Sequence, residues 1–405
     1  MKIFVFAVLI LLNYIPLQSQ WVRVTNGITN QTISSLATDG INLFAATGGA
    51  GVFISTNFGA NWTAVNNGLP SLFPASLLIN GYYILAGIEG GYIYKSTNNG
   101  ANWVASGNGI TSIGVQALVV NSGNYIFAGT YSGGIFRSSS NGSSWLAINN
   151  GLTDLHIQAL AARGNIVFAA TDGAGVFKST DNGASWISVS NGLTNEYVEA
   201  LAVTPTYIFA GTFGSGIFVS SDNGANWNEA NSGLTYGDVL SFAVSGNNVF
   251  AGIEVGGVCV TTNNGSNWQT VNDGLNDPFI YSFAVAGPYL FAGSYDSSVW
   301  RRPISEMLGV RNISTDIPGN YSLSQNYPNP FNPSTNIKFS LPKKIFVNLM
   351  VYNSLGQIVE RLVNSELAAG ECKVDWNAAN YCSGVYFYRL KAGDFVETTK
   401  MVLIK

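Results

Sequence analysis

An all-β chain in two parts, a closed ring of four-stranded sheets and then a small sandwich, is predicted by three features of the sequence. The first is a tryptophan ruler. Trp21, Trp62, Trp103, Trp145, Trp186, Trp227 and Trp268 follow one another at 41, 41, 42, 41, 41 and 41 positions. The second is an independent ruler of the same period, running from Phe44-Ala45-Ala46 and Leu85-Ala86-Gly87 to Phe291-Ala292-Gly293. The third is the loss of that period after Arg302, where short alternating strands take over. A period of about 40 residues with strand-like content is the length of one propeller blade. The ring is therefore expected to be a seven-bladed β-propeller over residues 20–304, with a linker at 305–320 and an Ig-like β-sandwich at 321–405.

Composition bounds the rest. A chain of 405 residues can hold two domains and bury a sizeable core. With 10% charged residues, a net charge of -4 and no basic run, nothing matches a phosphate backbone, and nucleic acid is excluded as a partner. Lys2 followed by the apolar run Ile3 to Leu12 reads as an export signal, since spanning a bilayer takes about 20 residues. Leu17-Gln18-Ser19 is a cleavage site, making residues 1–19 a signal peptide and Gln20 the mature start. No later segment can cross a membrane as a helix. The 3 cysteines are too few for a disulfide scaffold. Cys259 stands where sister repeats carry Phe177 and Phe218, and reads as a buried thiol. Cys372 and Cys382 flank a turn, and their pairing is left open because spacing does not fix geometry.

The fifth repeat shows the blade. Val198 to Val203 is a strand of mostly small, apolar residues suited to the crowded centre; Tyr207 to Gly211 is the second strand and Gly216 to Ser220 the third. Trp227 to Ala230 is the outer one. Turn residues such as Arg163-Gly164-Asn165 and Ser245-Gly246-Asn247 join the first two strands. The continuous apolar character of the middle strands fits sheets covered on both faces. The ends are out of phase. Trp21-Val22-Arg23-Val24 matches an outer strand with no blade before it, and Ile280 to Arg302 supplies three inner strands and stops. The leading strand is expected to complete the last blade and remove the open edges.

Between third and outer strands lies the pattern Ser/Thr-x-Asp/Asn-x-Gly-x-x-Trp. It comprises Ser55, Asn57, Gly59 and Trp62; Ser96, Asn98, Gly100 and Trp103; Ser138, Gly142 and Trp145, with Ser140 in the third place; Ser179, Asp181, Gly183 and Trp186; Ser220, Asp222, Gly224 and Trp227; and Thr261, Asn263, Gly265 and Trp268. Short polar side chains can bond their own turn, glycine supplies positive φ, and the tryptophan buries a large ring. These residues resemble the Asp-box, or BNR repeat, of sialidases and sortilin-type receptors. The resemblance implies the propeller architecture and a structural role for these positions.

In the last domain three prolines fix a bent entry, Tyr327-Pro328-Asn329-Pro330-Phe331-Asn332-Pro333. Ile337, Phe339 and Leu341, then Val347, Leu349 and Val351, then Val374 and Trp376, alternate as half-buried strands do. Together with Val351 to Gln357, Ser383 to Tyr388 and Lys400-Met401, the entry segment resembles the type A C-terminal sorting domain of the type IX secretion system. That resemblance implies a folded export tag at 321–405 read at the outer membrane, with the secretion machinery as partner and the cell surface or medium as destination.

For chemistry the sequence offers little. There is no G-x-S-x-G, G-K-[ST] or H-E-x-x-H. Read as an EF-hand around Gly183, the turn would put Lys178 and Val189 at ligand positions, which neither can fill; no metal and no cofactor are implied. A sialidase would need three clamping arginines, and none of Arg23, Arg137, Arg163, Arg301 or Arg302 lies in the loops facing away from the Asp-box turns. Those loops, fourth-to-first and second-to-third, carry Asp154, Glu196, Asp238 and Asp277 and then Glu89, Asp172, Glu254 and Asp296. Phe73, Tyr131, Tyr197, Phe213, Tyr236, Phe279, Tyr295 and His156 lie among them. Loops on a rigid scaffold concentrate function. An acidic rim with aromatic platforms suits a sugar, a cationic peptide or a divalent ion, and the expectation is a non-catalytic binding or scaffold propeller. The alternative is a glycoside hydrolase, whose paired carboxyls would stand about 5 to 9.5 Å apart.

Overall fold

The computed structural model describes residues 20–405 apart from 29–31, 91, 235–236, 297, 308–310, 315–316, 368 and 379–380. The expected signal at 1–19 and Tyr236 fall outside the described residues. Among those described, seven antiparallel sheets of four strands follow one another along the chain from Val22 to Pro303. Blade 1 is Ile33–Thr38, Leu43–Thr47, Gly51–Ser55 and Thr63–Ala64, and blades 2 to 6 repeat that order. Innermost strands of neighbouring blades pack side by side all round, blade 7 against blade 1 included. The second strands are buried but for a partly exposed first residue in blades 4, 6 and 7, because each blade covers the face of the next.

The ring closes as its ends predict. Val22 pairs with Arg301 and Arg23 with Trp300, so the leading strand becomes the outer strand of blade 7. The amide of Trp21 donates to the Asp273 carbonyl at 2.7 Å. Its indole N–H donates to the Val271 carbonyl at 2.6 Å, where the buried Arg302 guanidinium donates as well, at 2.8 Å. The same indole bond joins each blade to the one before it: Trp62 to Val24, Trp103 to Val65, Trp145 to Ser106, Trp186 to Ile148, Trp227 to Val189 and Trp268 to Ala230, all at 2.6–2.8 Å. A tryptophan ring thus fills the seam while its one polar atom finds a partner there. That double role explains why the ruler runs without a gap.

The turns before the tryptophans are self-contained. In blade 4 the Ser179 hydroxyl accepts the Gly183 N–H at 2.7 Å and donates to Asp181 Oδ1 at 2.7 Å. Asp181 accepts the amide and hydroxyl of Ser185 at 3.0 and 2.6 Å. Where Ser140 replaces the acid, its hydroxyl still accepts the Ser144 N–H at 3.0 Å. Gly183 takes φ 84° beside Asn182 at 57°. A side chain on Gly183 would also strike Ile148 of the preceding blade.

The sandwich pairs two four-stranded sheets. One runs Arg311–Ser314, Gly370–Asn377, Ser334–Leu341, Ser322–Leu323; the other Ile358–Leu367, Ile345–Asn353, Gly384–Ala392, Phe395–Leu403. Ile337, Phe339, Leu341, Val347, Leu349, Val351, Val374 and Trp376 all lie in its core, as their alternation predicts. One expectation needs correction. The stretch 305–320 is not a plain linker, because Arg311–Ser314 forms an edge strand on Gly370–Asn377. Backbone pairing with a waiting sheet edge ordered it, and its polar sequence carries no sign of that. The proline-rich entry segment covers the far edge. Phe331 exchanges backbone bonds of 3.0 Å with Val402 and Ile404, and Asn329 Oδ1 accepts the Val402 N–H at 2.9 Å. A last strand that would otherwise offer its edge is partly covered there.

All three thiols are free. Cys372 lies in the sandwich core, where burial pushes it up to about 11, whereas Cys382 is exposed. Cys259 is buried as expected, and burial raises its pKa too.

Candidate binding rim

The two loop sets singled out in the sequence meet at one end of the channel. In each blade a backbone N–H just past the second strand donates to a carbonyl just before the first: Glu89 to Phe73, Tyr131 to Gly114, Asp172 to His156, Phe213 to Tyr197, Glu254 to Asp238 and Tyr295 to Phe279, at 2.9–3.2 Å. Around the ring from blade 2 to blade 7 the donor residues alternate strictly: acid, aromatic, acid, aromatic, acid, aromatic. In blade 1 the place belongs to Gly48, bonded to Thr32. The backbone is fixed identically each time, so the side chains are free to differ.

A third set of residues lies deeper. Every innermost strand breaks register one residue in, at Ser34, Ala75, Gln116, Gln158, Glu199, Leu240 and Tyr281. Such bulges re-aim a side chain. Gln158 reaches Asp172 Oδ1 at 3.4 Å, and the Tyr281 ring lies 6.0 Å from that of Tyr295. Glu199 points among three other carboxylates. Burial raises its pKa most, Asp238, Glu254 and Asp172 add to the rise, and it reaches about 7. Its Oε2 is enclosed and has no hydrogen-bond partner among the described residues. Glu254 is raised chiefly by the Asp238 carboxyl within hydrogen-bonding reach. Burial, then Glu254, raises the Tyr281 phenol.

Sequence reasoning missed Glu199 and Tyr281. The available signal was Glu199 itself, the one acid on any of the seven first strands.

The remaining predicted positions separate into groups. His156 Nδ1 is 2.9 Å from Asp172 Oδ2, and its ring lies 4.2 Å from the Tyr131 ring, so three predicted residues of blades 3 and 4 do come together. Asp154 and Asp277 are committed to backbone amides, Asp154 within its own loop and Asp277 both there and in the adjoining one. Asp154 Oδ1 accepts the His156 N–H at 2.9 Å; Asp277, only 5% exposed, accepts those of Phe279 at 3.2 Å and Asp296 at 2.8 Å. Glu196, whose carbonyl accepts the Gly175 N–H at 2.9 Å, lines an open cleft of about 610 Å³ that also includes Lys178 and Ile187. Glu89 and Asp296 are exposed, as are Tyr131, Tyr197, Phe213 and Tyr295, each at least half so.

The opposite rim holds most of the ring's bases. Arg301, Lys95, Arg137 and Lys178 each donate to the carbonyl of the left-handed residue in a neighbouring turn: Phe58, Asn141, Asn182 and Asn223, at 2.7–3.3 Å. Arg163 reaches Asn223 there too. Neither loop set of the acidic rim contains a lysine or arginine. The propeller therefore has two chemically distinct ends.

Comparison with known proteins places the two parts. Residues 325–405 match the secretion system C-terminal sorting domain family. No curated protein matches the chain. Among solved structures, PorZ, described as an essential surface component of the type IX secretion system of Porphyromonas gingivalis, superposes with a TM-score of 0.58 at 16% identity; the match covers 94% of this chain but 60% of that one. YCF48 bound to D1 peptide matches over 70% of this chain and 96% of its own, at 17% identity and a TM-score of 0.58. The WD40 propeller domain of Doa1 matches over 71% and 99%, at 13% identity and a TM-score of 0.57. At these identities the likeness is one of fold. The C-terminal match makes the chain a type IX export substrate, bound for the cell surface or the medium.

Proposed function

We propose that the protein is a non-catalytic binding or scaffold propeller, delivered outside the cell by its sorting domain, and that its ligand, a glycan or a peptide, meets the acidic, aromatic rim. The observation that carries this reading is the separation of the two ends. Polar side chains of the Asp-box turns are bonded within the fold, whereas the facing rim leaves four aromatic side chains at least half exposed amid acids. Large exposed apolar side chains gathered in one place mark interaction sites. YCF48 bound to D1 peptide, alike in fold alone, is in keeping with such a role and does not assign one.

The glycoside hydrolase reading is the weaker one for the one carboxyl pair whose proximity is marked. Asp238 and Glu254 lie within hydrogen-bonding reach of each other, too close to flank a sugar and a water.

Two experiments test the proposal. In a cell with a type IX system, a chain ending at residue 320 should be retained in the periplasm with its propeller folded; normal extracellular levels would refute the sorting role. For the rim, the full mature chain on glycan and peptide arrays should capture a ligand that is lost on Tyr131→Ser with Phe213→Ser. Turnover of any glycan by the same preparation, abolished by Glu199→Gln, would replace binding with catalysis.

A further inference from the structure

We propose that the rim docks an extended polypeptide segment carrying lysine or arginine between apolar residues, with one cationic side chain directed into the channel mouth at Glu199. This rests on the reading of that rim as the binding face and names its partner.

Charge complementarity is the main argument. The rim loops carry acids and, His156 apart, no basic side chain, in a ring whose lysines and arginines are gathered mainly at the other end. Glu199 sits where Asp172, Asp238 and Glu254 all oppose its ionisation, and its enclosed Oε2 has no hydrogen-bond partner among the described residues. A guanidinium or ammonium at the channel mouth offsets that mutual repulsion.

The aromatic positions give the second argument. Acid and aromatic alternate from blade to blade, with Tyr131 and Phe213 on either side of Asp172, and Phe213 and Tyr295 on either side of Glu254. An extended chain presents alternate side chains to opposite faces, and its long cationic stems pack on aromatic rings while their heads reach carboxylates. Leu72 and Leu155, exposed at the outer edge of the same rim, extend the apolar surface. A neutral glycan would leave the carboxylates of the mouth without a counter-charge. A lone divalent ion would leave the aromatics without a role.

The test uses the full mature chain and three fluorescein-labelled ten-residue peptides of alternating pattern: arginine with leucine, glutamate with leucine, and serine with leucine. Anisotropy should show binding of the basic peptide at least tenfold tighter than of either other, weakening as salt is raised. The Glu199→Gln, Glu254→Gln double variant should lose at least tenfold for the basic peptide. Tyr131→Ser with Phe213→Ser should lose several-fold, and Ile41→Ser with Tyr82→Ser at the opposite end should change nothing. Equal affinity for the three peptides, or equal binding by the carboxyl double variant, overturns the proposal. So does full competition by spermidine at matched charge, which would make the site one for free polyamines. If the basic peptide fails while a glycan is captured and the rim variants abolish that capture, the peptide assignment falls and the binding face stands. If no ligand class depends on the rim variants, both fall.

Discussion

The two ends of the propeller are built from the same seven-fold backbone and obey opposite rules. At one end Ser179, Asp181, Gly183 and Trp186 and their counterparts recur nearly unchanged, because every position has one job: a hydroxyl to take the Gly183 amide, an acceptor for Ser185, an indole N–H for the preceding blade. At the other end the equivalent positions run Gly48, Glu89, Tyr131, Asp172, Phe213, Glu254 and Tyr295. There the same backbone bond recurs in every blade while the side chain changes. In a repeat protein, then, constancy marks what holds the ring together. Departure from the repeat, on a backbone that does not depart, coincides with the face proposed to meet a ligand.

The contrast can be broken by changing one end at a time. The largest effect should come from Trp186→Ala, which empties a seam and removes its bond to Ile148; a loss of about 3–5 kcal/mol is expected in urea unfolding. Ser179→Ala leaves the Gly183 amide and Asp181 without their shared partner and should cost about 1–2 kcal/mol.

Glu199→Gln should act in the other direction and only at high pH. The folded-state pKa of about 7 lies above the ordinary 4.5, so the folded chain holds the proton longer than the unfolded one. The contribution of Glu199 is fully present below pH 4.5 and declines as pH rises to 7. The variant should therefore be more stable than the parent at pH 8, on the order of 1 kcal/mol after solvent screening, and equal to it at pH 4. A gain at both values would mean that the carboxyl is not the cause. Asp181 has the opposite sign. Its pKa is lowered to about 2, chiefly by the Ser185 hydroxyl, so what it contributes is present above 3.8 and lost as pH falls towards 2. The smallest effect should be that of Tyr131→Ser or Phe213→Ser, within about 0.5 kcal/mol of the parent by thermal melting. A large loss there would erase the distinction between the ends.

Much of this was legible in the chain. The tryptophan period gave the blade number, and the phase of Trp21 against Arg302 gave the closure, because both follow from local strand and turn chemistry repeated at fixed spacing. The rim was legible as a set of loops but not as a site. Asp154 and Asp277 looked like ligands and proved to be holding Phe279, Asp296 and His156 amides. Glu196, one of the predicted rim acids, lines an open cleft with Lys178 and Ile187. Glu199 lay hidden in a strand of small, mostly apolar residues.

The sequence by itself determined how many sheets form, where each turns, how the ring closes and which segment carries it out of the cell, since these depend on residues close together in the chain or on a repeated spacing. Only the tertiary structure decided that Arg311–Ser314 joins the sandwich and that Glu199 opposes Asp172, Asp238 and Glu254 across three blades. Pairing with a distant edge and repulsion between carboxylates depend on separation in space, and a closed ring sets that separation only once its last strand is in place.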